Sequence, residues 1–112
     1  MQMKHEREFF SAESLPWTDA GAGIAERILS QDPGDGTLTR LARWAPGTTA
    51  PDVIRHGYVE EVYLLEGELT DLTLGQTFGP GDYACRPPGM PHGPYVTTSG
   101  CTMLEIRYNP AR

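Results

Sequence analysis

Three residues of this 112-residue chain have side chains and spacing suited to chemistry: His56, Glu60 and His92. A neutral imidazole and a carboxylate are donors that suit iron(II), manganese, nickel or zinc. Glu60 follows His56 by four residues. Side chains of an extended chain repeat every two residues, so the two share a face unless Gly57 bends the chain between them. His92 follows Pro87-Pro88-Gly89-Met90-Pro91, whose prolines fix the backbone ahead of it, so a ligand there loses little entropy on binding. Two histidines and one glutamate would make a facial triad that leaves coordination positions open for substrate or dioxygen. Taken alone, two distant histidines and a glutamate are weak evidence, because a satisfied surface or core histidine is the commoner outcome.

The remaining reactive groups suggest less. His5 sits in a polar, mixed-charge start and reads as a solvated surface residue. Cys85 and Cys101 lack C-x-x-C spacing, which excludes a zinc site built on paired cysteines. Two reduced thiols are expected of a chain in a reducing compartment. The sequence holds no Gly-x-Ser-x-Gly elbow, no phosphate-binding glycine loop and no H-E-x-x-H helix, so nucleophilic hydrolysis is a poor fit. Ala20-Gly21-Ala22-Gly23 is not a dinucleotide fingerprint. Nine basic against fifteen acidic residues leave a net charge of −6, which argues against a nucleic-acid partner. No run of 18 apolar residues argues for a membrane span, and no apolar segment near the start resembles a secretory signal. A cytoplasmic location is the default expectation.

The length predicts one domain and excludes a second, cofactor-binding one. Thirteen glycines and ten prolines divide the chain into short apolar stretches, the pattern of an antiparallel sandwich or barrel. Strands are expected at Ile24–Leu29, Thr37–Trp44, Glu61–Glu66, Glu68–Leu74, Tyr83–Arg86, His92–Thr97 and Cys101–Tyr108, with Ala50–His56 extended. Residues 1–22 read as an N-terminal arm with Phe9, Phe10, Leu15 and Trp17 as anchors, and residues 23–112 as the β-domain. Glu61 is expected to point away from Glu60. Arg86 and Tyr83 fall on opposite faces of one strand; either could line the cavity, and packing or a surface ion pair is the commoner role for each. In the last strand, Cys101, Met103 and Glu105 alternate with Thr102, Leu104 and Ile106; periodicity alone does not say which set faces inward.

Two longer patterns carry a resemblance. Gly81-x5-Pro87-x-Gly89-x2-His92 matches the second motif of the cupin superfamily, G-x5-P-x-G-x2-H, with Val96 where the family closes on asparagine. His56-x3-Glu60-x6-Gly67 matches the back half of the first motif, H-x-H-x3-E-x6-G. The chain thus resembles a small single-domain cupin. Leu15-Pro16-Trp17, Ala45-Pro46-Gly47, the run Glu60 to Gly67 and Pro91-His92-Gly93-Pro94 are similar to the branch that holds the ChrR anti-sigma domain and the acetylacetone-cleaving dioxygenase.

The resemblance implies an all-β, jelly-roll barrel with a divalent metal in one mouth, held by His56, Glu60 and His92. Glu60 and His92 are then the expected catalytic groups. The departure is Ile54, which stands where the first motif histidine belongs and cannot ligate. The site would then hold metal through the remaining three side chains and water, recruit Asp52 or Tyr58, or have become a plain binding pocket. An unpaired Glu60 inside a barrel would be a costly buried charge, which favours the first outcome. The expected function is iron(II)-dependent oxygenation or carbon–carbon cleavage of a β-dicarbonyl or aromatic ketone. The alternatives are a redox-neutral isomerase, cyclase or decarboxylase using manganese, nickel or zinc, and a non-catalytic metal- or ligand-binding sensor module. The expected partners are a small-molecule substrate and a second copy of the chain in a homodimer.

Overall fold

The computed structural model describes residues 3–110. The outermost ends of the arm and the β-domain, Met1, Gln2, Ala111 and Arg112, lie outside the described residues. Ten strands follow a single 3-10 turn at Ala12–Ser14: β1 (Thr18–Asp19), β2 (Ile24–Gln31), β3 (Leu38–Trp44), β4 (Thr49–Ala50), β5 (Val59–Gly67), β6 (Leu69–Asp71), β7 (Gln76–Phe78), β8 (Tyr83–Arg86), β9 (Tyr95–Val96) and β10 (Cys101–Tyr108). They form a six-stranded sheet, β1-β2-β3-β10-β5-β8, and a four-stranded sheet, β4-β9-β6-β7. All the pairings are antiparallel, as expected of an all-β jelly roll. Among the described residues no helix is long and apolar enough to cross a membrane.

Strand alternation settles which side chains line the interior. Cys101, Met103 and Glu105 of β10 are buried. They pair with Trp44, Ala42 and Arg40 of β3, and Met103 and Glu105 oppose Leu64 and Val62 of β5 on the other side. From the smaller sheet, Leu69 and Tyr95 complete the buried cluster, with Ile24, Ala50, Ile54 and Phe78 packed around it. Tyr95 meets Trp44 edge-on, with ring centroids 6.3 Å apart. Each large apolar side chain buried here contributes about 1.5–3 kcal/mol.

The structure shortens two of the expected strands. Glu68–Leu74 does not run as one strand: β6 stops at Asp71, whose Oδ1 accepts the backbone N–H groups of Thr73 and Leu74. That side-chain turn takes donors a longer strand would need. His92–Thr97 is reduced to Tyr95–Val96, since Pro94 has no N–H to donate. The arm lies on the body. Lys4 Nζ donates to Thr39 Oγ1 at 2.7 Å, Arg27 Nε donates to the Leu15 carbonyl at 2.7 Å, and Trp17 is flanked by the guanidinium groups of Arg27 and Arg43. Thr18–Asp19 of the arm form β1, which pairs with β2 and extends the large sheet. Phe9 and Phe10, expected as anchors, are both exposed.

Gly67 ends β5 at φ +78°, beside the register shift between Thr102 and Met103. A Cβ there would overlap the Gly100 carbonyl and the Cys101 Cα, both backbone. Gly67→Ala is therefore expected to destabilise the fold by about 3 kcal/mol or more. Urea unfolding of the variant against the wild type measures this.

Candidate metal centre

The two motifs meet through their backbones before their side chains meet. Ile54 and His92 exchange a pair of N–H to carbonyl bonds at 2.7 and 3.0 Å, and the Gly89 N–H donates to the His56 carbonyl at 2.9 Å. Ile54 thus sits beside His92 as a bridge partner and packs against the core. Glu60 is the second residue of β5, on the inward face with Val62 and Leu64. Glu61 points outward, where its carboxylate accepts the Tyr83 hydroxyl.

His56, Glu60 and His92 come together, with one donor atom of each within 4.8 Å of the others. The two Nε2 atoms are 3.1 Å apart, and His56 Nε2 is 3.8 Å from Glu60 Oε1. Two nitrogens that share one ion at about 2.1 Å each sit roughly 3.0–3.4 Å apart, so the imidazoles match a divalent cation as they stand. The outer ring nitrogens are also engaged. His56 Nδ1 is 3.2 Å from the Tyr58 carbonyl, to which it can donate, and His92 Nδ1 is 3.0 Å from the Tyr95 hydroxyl. Such bonds fix the tautomer and ring orientation of a ligating histidine. Burial and the neighbouring Arg86 lower the His92 pKa to about 4, so the ring is neutral and its lone pair available near pH 7. The donor set therefore suits a borderline metal ion such as iron(II), manganese, nickel or zinc.

Of the two recruits suggested for the position of Ile54, Asp52 is not part of the group. Asp52 is exposed, and Tyr58 stacks its ring on His56 at a centroid distance of 4.0 Å. His5 is exposed and is not part of the cluster.

Glu60 has further partners. Arg86 Nη1 donates to Glu60 Oε1 at 2.9 Å, and Arg107 Nε stands 3.7 Å from Oε2. Arg107 Nη2 reaches Glu105 at 3.4 Å, and Arg40 pairs with both Glu105 at 2.9 Å and Glu26 at 2.7 Å. An alternating row, Glu26, Arg40, Glu105, Arg107, Glu60 and Arg86, thus crosses the inner face of the large sheet. Alternation placed Glu105 beside Met103 as a possible inward residue, but it gave no sign that its partners lie on β3 and β10. Tyr95 was likewise missed. Its hydroxyl accepts from Arg86 Nη2 at 2.7 Å, which links the row to His92.

A cavity of about 380 Å³ opens between β8 and the smaller sheet. Leu69, Leu74 and Phe78 form its apolar wall, and Arg86, His92 and Tyr95 its polar end. Of the three candidate ligands, only His92 lines it.

Residues 5–109 match the family model described as the ChrR cupin-like domain. The chain belongs to that family of cupins. No curated protein matches the sequence. Among solved structures, an RmlC-like cupin from Shewanella frigidimarina is 23% identical, with a TM-score of 0.75 over 99% of this chain and 95% of that one. An acetylacetone dioxygenase from Acinetobacter johnsonii is 17% identical, with a TM-score of 0.67 over 90% of this chain and 72% of that one. The anti-sigma factor ChrR, solved with SigE of Rhodobacter sphaeroides, is 26% identical, with a TM-score of 0.68. That match covers 86% of this chain and 51% of the matched chain.

The lowered His92 pKa sets a pH dependence for the metal-free protein. The unfolded chain binds a proton at His92 near pH 6.5, and the folded one only near pH 4. Between these values the unfolded state holds more protons, so stability falls as pH drops from about 6.5 to 4. Thermal melts of chelator-treated protein across this range are expected to fall more steeply for the wild type than for His92→Gln. Parallel slopes would remove His92 as the cause.

Proposed function

We propose that this protein is a metal-dependent cupin enzyme acting on a small oxygenated organic molecule, by oxygenation or carbon–carbon cleavage of a β-dicarbonyl or aromatic ketone. The observation that carries this reading is the convergence of three ligating atoms within 4.8 Å beside a mostly apolar cavity. A bound divalent ion, iron(II) first among the candidates, supplies Lewis acidity and open positions for substrate and dioxygen.

The protein's own groups have distinct tasks. His56, Glu60 and His92 would hold the ion through His56 Nε2, Glu60 Oε1 and His92 Nε2. His56 is held by the Tyr58 carbonyl. With His92 Nε2 committed, its ring proton belongs on Nδ1, and the Tyr95 oxygen 3.0 Å away is placed to accept it. Arg86 steadies both Glu60 and Tyr95. Leu69, Leu74 and Phe78 offer the substrate's carbon skeleton a wall with few competing waters. The likeness to an acetylacetone dioxygenase supports the oxygenase form of the reaction.

A second reading, a non-catalytic sensor, is favoured by the family match and by Glu60 being already neutralised by two arginines. Metal content and oxygen uptake against a panel of diketones separate the two. The enzyme reading expects one bound ion per chain and oxygen uptake that requires iron(II). His92→Ala should keep the fold and weaken metal binding by more than about 100-fold. Full metal occupancy in His92→Ala removes that residue from the site. Turnover under nitrogen points to redox-neutral chemistry, and a wild-type protein that takes no metal leaves the sensor.

A further inference from the structure

One buried carboxylate of the cavity belongs neither to the candidate metal centre nor to the charged row. Asp71 ends β6 on the inner face of the smaller sheet, is only 7% exposed, and lines the cavity. Its cross-strand partner on β9 is Tyr95, which places it at the polar end with Arg86 and His92. Its Oδ1 accepts the Thr73 and Leu74 N–H groups at 2.9 and 3.0 Å, and among the described residues its Oδ2 takes no hydrogen bond. That turn needs one acceptor oxygen, which an asparagine side chain supplies as well. The second oxygen and the negative charge are therefore more than the turn requires.

A buried carboxylate oxygen without a donor is costly. Water meets that need while the cavity is open. A ligand that fills the cavity displaces the water and must bring a donor of its own. The surrounding charges say which donor. An anion would face Asp71 and also Asp82, an exposed carboxylate of the cavity wall whose Oδ2 accepts the Gly79 N–H at 2.8 Å. An ammonium group would face the Arg86 guanidinium at the same end and, in the loaded protein, the divalent ion on His92. A neutral hydroxyl meets neither objection. Leu69, Leu74 and Phe78 supply an apolar wall, and about 380 Å³ accommodates a substituted aromatic ring.

We propose that the cavity takes a neutral molecule with a hydroxyl group on an apolar, ring-sized body, and that Asp71 Oδ2 selects it by accepting a hydrogen bond from that hydroxyl. This deepens the reading of the cavity as the substrate's site and rests on it. An aromatic ketone with a ring hydroxyl fits the description. Asp71 is not one of the three candidate ligands, so the preference for a hydroxyl holds with or without metal.

Calorimetry on the full chain at neutral pH tests this, with para-hydroxyacetophenone as the probe and para-methylacetophenone, of similar size but without a donor, as its counterpart. Zinc-loaded and metal-free protein should both bind the hydroxy ketone about tenfold or more tighter than the methyl ketone. Asp71→Asn keeps an acceptor for the Thr73 and Leu74 N–H groups and should bind the two ketones alike. In the wild type, the amide NMR signals of Thr73 and Leu74 should move more with the hydroxy ketone than with the methyl ketone, because those N–H groups share the carboxylate. That second measurement decides the role of Asp71 if the asparagine variant folds poorly, and equal shifts with both ketones overturn it. Equal affinity of the wild type for both ketones overturns the hydroxyl proposal, and binding of neither overturns the cavity as their site. A hydroxyl preference kept by folded Asp71→Asn overturns the role of Asp71. A protein that takes up no zinc yet prefers the hydroxy ketone overturns the metal reading alone.

Discussion

The carboxylate of Glu60 is the constraint on which the site depends. It lies inside a β-container, only 7% exposed, where an unpaired charge would cost several kcal/mol. The large sheet answers from both sides. Glu60 is paired across the strands with Arg86 of β8 and with Arg107 of β10. Because side chains alternate, a slip of one residue in either pairing would turn both arginines outward and leave Glu60 alone. Sheet register and site chemistry are therefore the same fact: the geometry that satisfies Glu60 also places it 3.8 Å from His56.

The ion-pair row is not what makes the domain stable. Desolvating six charged side chains offsets much of what their attraction returns, and buried pairs are often no better than well-packed apolar residues. The row is also imperfect, since Arg107 Nε is buried without a hydrogen-bond partner. Stability comes from the cluster around Trp44, Leu64, Tyr95 and Met103, which occupies the same sheets farther along the strands. The division suits a binding site. Apolar packing carries the fold, and the polar end is left with charges whose balance a metal and a ligand can shift.

Much of this organisation was legible in the chain. Proline and glycine punctuation placed seven of the ten strands and missed the short β1, β4 and β7, and motif spacing singled out His56, Glu60, His92 and Gly67. Misplaced ends had local causes: the Asp71 carboxylate cut β6 short, and Pro94 removed a donor from β9. The roles of Arg40, Arg107 and Tyr95 were not legible, and Arg86 was legible only as a residue able to line the cavity, not as the partner of Glu60. A charged residue in a strand reads as solvent-facing, because burial is costly unless a partner stands opposite, and the partner lies on a strand distant in sequence. Arg40 and Glu105 are 65 residues apart, yet they hydrogen-bond.

The sequence by itself determined an all-β cupin chain, the residues able to ligate, and an isoleucine at position 54 where the cupin motif has a histidine, because local punctuation and motif spacing depend only on neighbours along the chain. Tertiary structure alone decided that Ile54 became a backbone partner of His92, that Cys101, Met103 and Glu105 face inward, and that Arg86 stands at the polar end of the cavity. Those outcomes depend on which strands lie side by side and in what register, and cross-strand hydrogen bonding and core packing select that only when the whole chain has closed on itself.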